Sequence, residues 1–174
     1  MTGALALVLL LACGPTPEDV ALQLASENPA VREDTARRAR NFNSPDVIQG
    51  LITALDDPSE RVRLYAVESL IELDAKDAVP RLCEVMTADE SELVRREAID
   101  ALGRMADPRA VPPLVALLEQ TADDKPPLNA IWAVGQMGDV QAMPVLSRLR
   151  ESKDPFVAYN ANQSLRRLRP PGEG

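Results

Sequence analysis

The chain has 174 residues, 45% of them apolar but only 3% aromatic, with a net charge of −8 and no histidine. This length predicts one domain, and its core must be built from Leu, Val, Ala, Ile and Met. The acidic charge argues against nucleic-acid binding, which needs Lys and Arg to neutralise phosphates, and the absence of histidine removes the commonest general base and metal ligand.

The first element is an apolar run from Ala4 to Ala12 that ends at Cys13. A transmembrane helix needs about 20 apolar residues, so the run is too short to span a bilayer. Its length is typical of the apolar core of a secretory signal. The sequence Leu10-Leu11-Ala12-Cys13 resembles a bacterial lipobox, in which the bond before the cysteine is cut and the cysteine is lipidated.

The lipobox resemblance implies a lipid anchor. Residues 1–12 would be the signal, Cys13 would carry the lipid, and residues 13–17 would be a tether, because Gly14 and Pro15 break helices. No Asp follows the cysteine, which favours the outer membrane if the host is Gram-negative. The alternative interpretation is an apolar first helix that caps the fold, with no role for Cys13.

Residues 18–168 carry the main pattern, a repeat of 31 to 32 residues. Three valine–arginine pairs each open a helical pattern, and two further pairs stand at the fourth and fifth openings. In order, the five are Val31-Arg32, Val62-Arg63, Val94-Arg95, Pro126-Pro127 and Val157-Ala158. A second element follows each of the first four openings by 16 residues. A fixed period of this length indicates stacked helical pairs.

Capping residues and prolines predict the helix boundaries. Thr16-Pro17 predicts the start of a half repeat at the N-terminal end. Further helices are predicted over residues 30–42, 45–55, 58–73, 77–87, 91–105, 108–120, 126–137, 140–151 and 155–168. Ser44, Asp57, Asp107 and Asp154 each precede a proline, which predicts four N-caps. Residues 169–174 are predicted to be disordered.

The aligned repeats share buried columns. The first helices align Ala66, Ala98, Ala130 and Ala161, then Leu70, Leu102, Val134 and Leu165; the second helices align Leu51, Leu82, Leu114 and Leu146. The pattern Val-Arg-x-x-Ala-x-x-Ala-Leu-Gly-x-Met is clearest over residues 94–105. From about Ala30 to Leu168 the chain resembles the HEAT-like repeats first described in phycobilisome lyases. The resemblance implies an all-α fold, a short right-handed α-solenoid of antiparallel helix pairs, in a family of scaffolds, adaptors and, more rarely, enzymes.

One polar column contains Arg32, Arg63 and Arg95. The resemblance implies a structural role, because in related repeats this arginine pairs with an acidic group or a carbonyl of the adjoining turn. The expected partners are Asp57, Asp89 and Asp124. The alternative is an anion-binding ridge, which would be confined to one half of the molecule because positions 127 and 158 carry no arginine.

Candidate partner contacts lie on three surfaces. Trp132 stands in a column that is polar elsewhere, which leaves open an exposed contact, a ring folded over the neighbouring helix, and an anchor at the membrane interface. The second helices are expected to line a concave groove, with outward positions that include Arg81, Glu84, Val145 and Arg148. A C-terminal basic cluster is either a solvated cap or a docking patch for an acidic partner or anionic lipid. It comprises Arg148, Arg150, Arg166, Arg167 and Arg169.

No residue pattern predicts catalysis, a cofactor or a metal site. Cys83 lies in an apolar column and is expected to be inert, because a reactive thiol needs a base or a positive setting. We therefore expect a lipid-anchored scaffold or adaptor of the bacterial cell envelope that binds another protein and no nucleic acid. The alternative is a cytosolic phycobilin-lyase-like enzyme or enzyme subunit, in which residues 1–13 form a capping helix.

Overall fold

The structure, a computed structural model, describes residues 14–121 and 125–168. These residues form ten α-helices and no strand. The helices are α1 Pro17–Leu24, α2 Pro29–Arg38, α3 Pro45–Ala54, α4 Glu60–Glu72, α5 Val79–Ala88, α6 Glu92–Met105, α7 Val111–Gln120, α8 Leu128–Met137, α9 Met143–Arg150 and α10 Pro155–Leu168. The predicted signal segment, Cys13, Asp124 and the predicted tail lie outside the described residues.

The helices form two layers, because helices two places apart in the chain pack side by side. The first-helix layer contains α2, α4, α6, α8 and α10, which contact one another in that order. The second-helix layer contains α1, α3, α5, α7 and α9. Within this layer, α3 contacts the short turn at residues 76–78 that leads into α5. Each second helix also packs on the first helix that follows it, as expected for antiparallel neighbours with short connections. The predicted all-α solenoid is confirmed.

The core lies between the two layers. The four alanines of the first-helix column and the four leucines of the second-helix column are completely buried. Leu70 and Leu102 are also completely buried, whereas Leu165 of the same column is half-buried. Leu165 differs because α10 packs only on α8 and α9 among the described helices.

Two glycines let neighbouring first helices approach closely. A Cβ at Gly135 would lie 2.6 Å from Cβ of Ser164 and 3.0 Å from its Cα. A Cβ at Gly103 would lie 2.5 Å from Cζ3 of Trp132 and 2.9 Å from Cβ of Ala133. A side chain at Gly103 would therefore force α8 away from α6, and a side chain at Gly135 would force α10 away from α8.

Two serine hydroxyl groups, at the same position of their repeats, connect neighbouring first helices. The hydroxyl of Ser69 in α4 donates to the carbonyl oxygen of Ala36 in α2 at 2.6 Å. The hydroxyl of Ser164 in α10 donates to the carbonyl oxygen of Ile131 in α8 at 2.8 Å. Both hydroxyls are buried, so these bonds form part of the packing between repeats.

Three of the four N-caps predicted before a proline are present. The hydroxyl of Ser44 accepts from the N–H of Val47, and the carboxylate of Asp107 accepts from the N–H of Arg109. Asp154 caps α10 by accepting from the N–H of Phe156 at 2.8 Å. These bonds satisfy N–H groups that have no partner inside the helix.

The helix starts predicted at residues 77, 108 and 140 fall on short 3-10 turns that lead into α5, α7 and α9. Two other predicted starts, at Pro58 and Pro126, precede their helices by two residues. The cap predicted at Asp57 is absent because α4 begins only at Glu60. The Asp57 carboxylate accepts instead from the N–H of Ser59, which precedes the helix, and from Arg32 of α2. Likewise α8 begins at Leu128 and not at Pro126. Pro127 disfavours the helical conformation of the residue before it, so the helix starts only after the second proline. None of the described helices combines the length and apolar character that crossing a bilayer requires.

Candidate functional site

The predicted arginine ladder follows one edge of the stack, where each second helix leads into the next first helix. Arg32 donates from Nε to Oδ2 of Asp57 at 2.5 Å and from Nη1 to the carbonyl oxygen of Ser26 at 2.8 Å. Arg63 repeats this pattern, from Nε to Oδ2 of Asp89 at 2.8 Å and from Nη1 to the carbonyl oxygen of Asp57 at 2.9 Å. Asp57 therefore holds two arginines, one through its carboxylate and one through its backbone.

Arg95 continues the ladder through the backbone. Its Nη1 donates to the carbonyl oxygens of Asp89 at 2.6 Å and Glu90 at 3.2 Å, while its expected carboxylate partner, Asp124, lies outside the described residues. The side chains of Arg63 and Asp89 are only 6% and 5% exposed. Because these guanidinium groups bind acceptors within the protein, the geometry supports a structural ladder and not an anion-binding ridge.

The Asp57 carboxyl group shows how pairing outweighs burial. Burial raises its pKa, but hydrogen bonds from Arg32 and from the N–H of Ser59, together with the charge of Arg63, bring the pKa below its usual value. The group is therefore a carboxylate at neutral pH, as the ladder requires.

The second-helix layer carries a groove across α1, α3 and α5. A cleft of about 340 Å³ lies between α1 and α3, with an apolar lining that includes Leu24 and Ala54. A second cleft, of about 330 Å³, lies between the end of α3 and α5 and is lined by Val85 and by charged side chains. Asp56 and Asp57 line both clefts. We call this joined surface the second-helix groove.

Two predicted partner contacts, Arg81 and Glu84, lie on the rim of the second-helix groove. The Arg81 guanidinium binds the carboxylates of both Asp56 and Glu84. The two carboxylates are 63% and 66% exposed, whereas the Arg81 side chain is 30% exposed. The rim therefore presents a cation flanked by two carboxylates that face the solvent.

Trp132 lies in the first-helix layer, with its ring folded over the neighbouring helix α6. The edge of the ring rests against Gly103. With the Gln136 amide in the orientation that satisfies its neighbours, the Trp132 Nε1 donates to the Gln136 side-chain oxygen at 2.6 Å. In this orientation the same oxygen also accepts from Nη1 of Arg167 at 3.1 Å. The indole is held at two points and remains half-buried, with part of its surface accessible.

A pocket of about 360 Å³ opens beside Trp132 on the first-helix layer. We call it the Trp132 pocket; its other lining residues are Ile71, Glu97, Asp100, Arg104 and Asn129. Its carboxylates were not predicted as functional residues, because acidic residues in outward columns are common on solvated helix faces. They could be recognised only once α4, α6 and α8 were placed side by side.

The carboxyl group of Glu97 lies in an unfavourable setting for its charge. Burial, followed by the charges of Asp100 and Glu68, raises its pKa, and the opposing charges of Arg96 and Arg104 do not cancel this effect. Within the described part of the chain, no hydrogen bond or ion pair holds the carboxylates of Glu97 and Asp100. The Trp132 pocket thus combines an aromatic wall with two unpaired carboxylates.

The predicted basic cluster is divided between α9 and α10. Arg148 donates to the carbonyl oxygen of Leu118 at 3.0 Å, and Arg150 pairs with Glu151 at 2.9 Å. Arg166 and Arg167 are exposed on α10, and Arg169 lies outside the described residues. Arg148 and Arg150 thus make contacts within the protein.

One outward position in the second helices was predicted wrongly. Val145 in α9 is only 3% exposed and belongs to the core cluster. Its outward position in the repeat did not keep it at the surface, because burying an apolar side chain of this size contributes about 1.5 kcal/mol or more.

Cys83 lies on α5 and is half-buried. Burial, with a smaller contribution from the charge of Asp107, raises the pKa of the thiol to about 11. The thiol therefore stays protonated at neutral pH and is a poor nucleophile. Among the described residues, no group of His, Cys, Asp and Glu side chains could hold a metal ion.

The stacked helix pairs define an α-solenoid of the HEAT type. The family described as HEAT repeats matches residues 17–92 and 48–126, which together cover more than half of the chain. This chain therefore belongs to the HEAT-repeat family. A search of curated protein sequences found no match.

Three solved structures illustrate the likeness of fold. A chain from the complex of CpcE and CpcF of phycocyanin lyase from Nostoc sp. PCC7120 has a TM-score of 0.72 and 24% identity, over 90% of this chain and 66% of that chain. YibA of E. coli has a TM-score of 0.64 and 26% identity, over 87% of this chain and 53% of that chain. A designed armadillo repeat protein in complex with the peptide (KR)4 has a TM-score of 0.63 and 22% identity, over 97% of this chain and 87% of that chain. This chain thus spans just under two thirds of the phycocyanin lyase chain.

Proposed function

We propose that this chain is a non-catalytic protein-interaction module whose partner binds along the second-helix groove. The observation that carries the proposal is the continuity of the groove across α1, α3 and α5, with an apolar floor and a charged rim. Protein interfaces combine these two features, an apolar centre and a polar margin. The stacked repeats extend such a surface over several helices.

The comparisons support a protein partner. One similar structure is a complex of two lyase chains, and another is a designed repeat protein that holds a peptide. These partners belong to those proteins; what they support here is that a solenoid of this shape can bind a polypeptide.

Photocrosslinking tests the second-helix groove. A photoreactive residue placed at Thr53, which is exposed and lines the groove, is expected to capture one dominant protein in cells. The matched control is the same residue at Glu72, which is exposed on α4 of the opposite layer. Arg81→Glu should abolish the capture at Thr53 while circular dichroism shows that the fold is retained. Equal capture at both positions, or capture that survives Arg81→Glu, would contradict the proposal.

A lipid anchor at Cys13 forms the second half of the proposal. Its support is the sequence alone: an apolar run of signal-core length and the small residue Ala12 before the cysteine. A lipidated Cys13 would hold the solenoid at the cell envelope, in the outer membrane of a Gram-negative host. Cys13→Ala should move the protein from the membrane fraction to the soluble fraction. A variant that remains with the membranes would exclude this anchor.

The likeness to a phycocyanin lyase chain favours a second candidate, a lyase-like subunit that handles a tetrapyrrole. Absorbance spectra distinguish the two candidates. A bilin that co-purifies with the chain, or that binds with a saturable change in its visible spectrum, would favour the lyase-like role. A protonated Cys83 thiol makes attachment of the pigment at that residue unfavourable, so Cys83→Ser should leave any such binding unchanged.

A further inference from the structure

The Trp132 pocket has three features that match the three parts of a basic side chain. Ile71 provides an apolar wall, Trp132 provides an aromatic surface, and Glu97 and Asp100 provide carboxylates. Lysine and arginine side chains consist of an apolar stem that packs on hydrophobic surface and a charged head that seeks carboxylates.

The contacts that fix the Trp132 ring determine which interactions its accessible surface can make with a ligand. Its N–H is already bonded to Gln136, and one ring edge is pressed against Gly103. The accessible part of the ring therefore has no free hydrogen-bond donor, and its remaining means of attraction are apolar contact and the negative face of the indole. Of the aromatic side chains, Trp binds cations most strongly through its face.

The charge of the pocket complements a cation. Two carboxylates within it have no partner in the described part of the chain, and Glu68 adds a third negative charge near Glu97. Arg104 also lines the pocket and Arg96 lies nearby, but their charges do not cancel the combined effect of burial and of the two acidic neighbours, which raises the pKa of Glu97. A bound cation would relieve the repulsion, so binding gains a contribution that a neutral ligand cannot supply.

We propose that the Trp132 pocket is a docking site for a cationic side chain, arginine or lysine, of a partner polypeptide. This inference is independent of the second-helix groove, because the pocket lies on the opposite layer. It gives the solenoid a second contact surface, with a recognition chemistry that differs from that of the groove.

The sequence supplies a reporter for the test, because Trp132 is the only tryptophan of the chain. The alternating lysine–arginine octapeptide (KR)4, added to the purified protein, should cause a saturable change in tryptophan emission. A neutral serine–glutamine octapeptide of the same length should cause none. An unchanged emission with (KR)4 would overturn the proposal.

A pair of matched variants separates the pocket from general attraction to an acidic protein. Glu97→Gln with Asp100→Asn should weaken (KR)4 binding about tenfold, a change of about 1.4 kcal/mol. Glu119→Gln with Asp46→Asn removes the same charge at exposed positions of the second-helix layer and should change the affinity less than twofold. Equal weakening by both pairs would show non-specific attraction and contradict the proposal.

Two further measurements complete the test. Trp132→Leu, followed by calorimetry, should weaken (KR)4 binding, with circular dichroism as the check on folding. Vesicles of phosphatidylglycerol should leave the emission of the wild-type protein unchanged. A blue shift with vesicles and no response to the peptide would assign Trp132 to a lipid surface and overturn the proposal.

Discussion

The joints of the N-terminal half and those of the C-terminal half hold the same fold by different means. In the first half, arginines cross the joints and bind the carboxylates and carbonyls of Asp57 and Asp89. In the second half, Pro127 and Ala158 occupy the arginine position. There the joint before α10 carries Asp154, which caps α10 by accepting from the N–H of Phe156.

The apolar columns, and not the ladder, therefore define the repeat. Both halves keep the buried alanines and leucines and the serine hydroxyl bond between first helices. The ladder adds a set of buried ion pairs to one half. Loss of one partner of such a pair is costly, so the N-terminal half should be sensitive to loss of charge and the C-terminal half to added volume.

Arg63→Ala should have the largest effect. The change leaves the Asp89 carboxylate, whose side chain is 5% exposed, without its partner. Breaking a buried pair in this way destabilises proteins by about 3–5 kcal/mol, measurable by urea unfolding. The control is Arg61→Ala, because Arg61 is 67% exposed and its pair with Glu33 lies at the surface; this change should cost less than about 1 kcal/mol. Similar costs for both variants would contradict the structural ladder.

Gly135→Ala tests the sensitivity of the C-terminal half to volume. The added Cβ would meet Ser164, including its Cα at 3.0 Å, and overpacking of this kind costs about 1–3 kcal/mol. Gly50→Ala is the control, because the added Cβ would meet chiefly the flexible end of Leu24 and gains helix propensity. The free energy of unfolding in urea should fall for Gly135→Ala and change by less than about 1 kcal/mol for Gly50→Ala. A larger loss for Gly50→Ala would reverse the comparison.

Ser69→Ala and Ser164→Ala test the feature that the halves share. Each change removes one buried hydroxyl bond to a carbonyl of the neighbouring first helix, with an expected cost of about 1 kcal/mol. Ser59→Ala should cost less, because the Ser59 hydroxyl makes no cap bond. Thermal unfolding of the three variants would show two similar shifts and one smaller shift. Clearly unequal shifts for Ser69 and Ser164 would mean that the two halves differ in packing as well as in charge.

Glu97→Gln should have the smallest effect, and the size of that effect depends on pH. The pKa of Glu97 is raised in the folded state, so its ionised form is destabilising above that pKa, and the penalty disappears as pH falls below the ordinary value of 4.5. At pH 7 the variant should be more stable by about 0.5 kcal/mol, the scale of like-charge pairs on a helix. Near pH 4 wild type and variant should unfold at the same denaturant concentration. A loss of stability at pH 7 would contradict the repulsion described at the Trp132 pocket.

The sequence predicted the architecture because the period of 31 to 32 residues specifies which helices become neighbours. The buried columns followed from that period, whereas the partners of Arg32 and Arg63 were implied by the resemblance to HEAT-like repeats. The sequence could not predict the fate of Asp57, whose carboxylate could either cap α4 or bind an arginine 25 residues earlier. The carboxylate makes the local bond and the long-range pair at the same time: it accepts from the N–H of Ser59 and from Arg32, while α4 begins only at Glu60.

The Trp132 pocket was the least predictable surface. Trp132 could be singled out from its column, but the position of its ring depends on the absence of a side chain at Gly103 and on Gln136 one turn later. The carboxylates of Glu97 and Asp100 belong to the preceding repeat. A pocket built from three helices becomes visible only when the spacing between repeats is known.

The two-sided bonding of Asp57 and Asp89 has a mechanical consequence. Each residue links the arginine before it to the arginine after it, so this edge of the stack behaves as a tie of fixed length from α2 to α6. The coil cannot open along that edge without breaking a charged bond. A pull on the ends, or a partner that alters the curvature, would therefore first stretch the turns from α8 to α10, where Pro127 and Ala158 replace the ladder arginine. The molecule would be mechanically stiffer at its N-terminal end than at its C-terminal end.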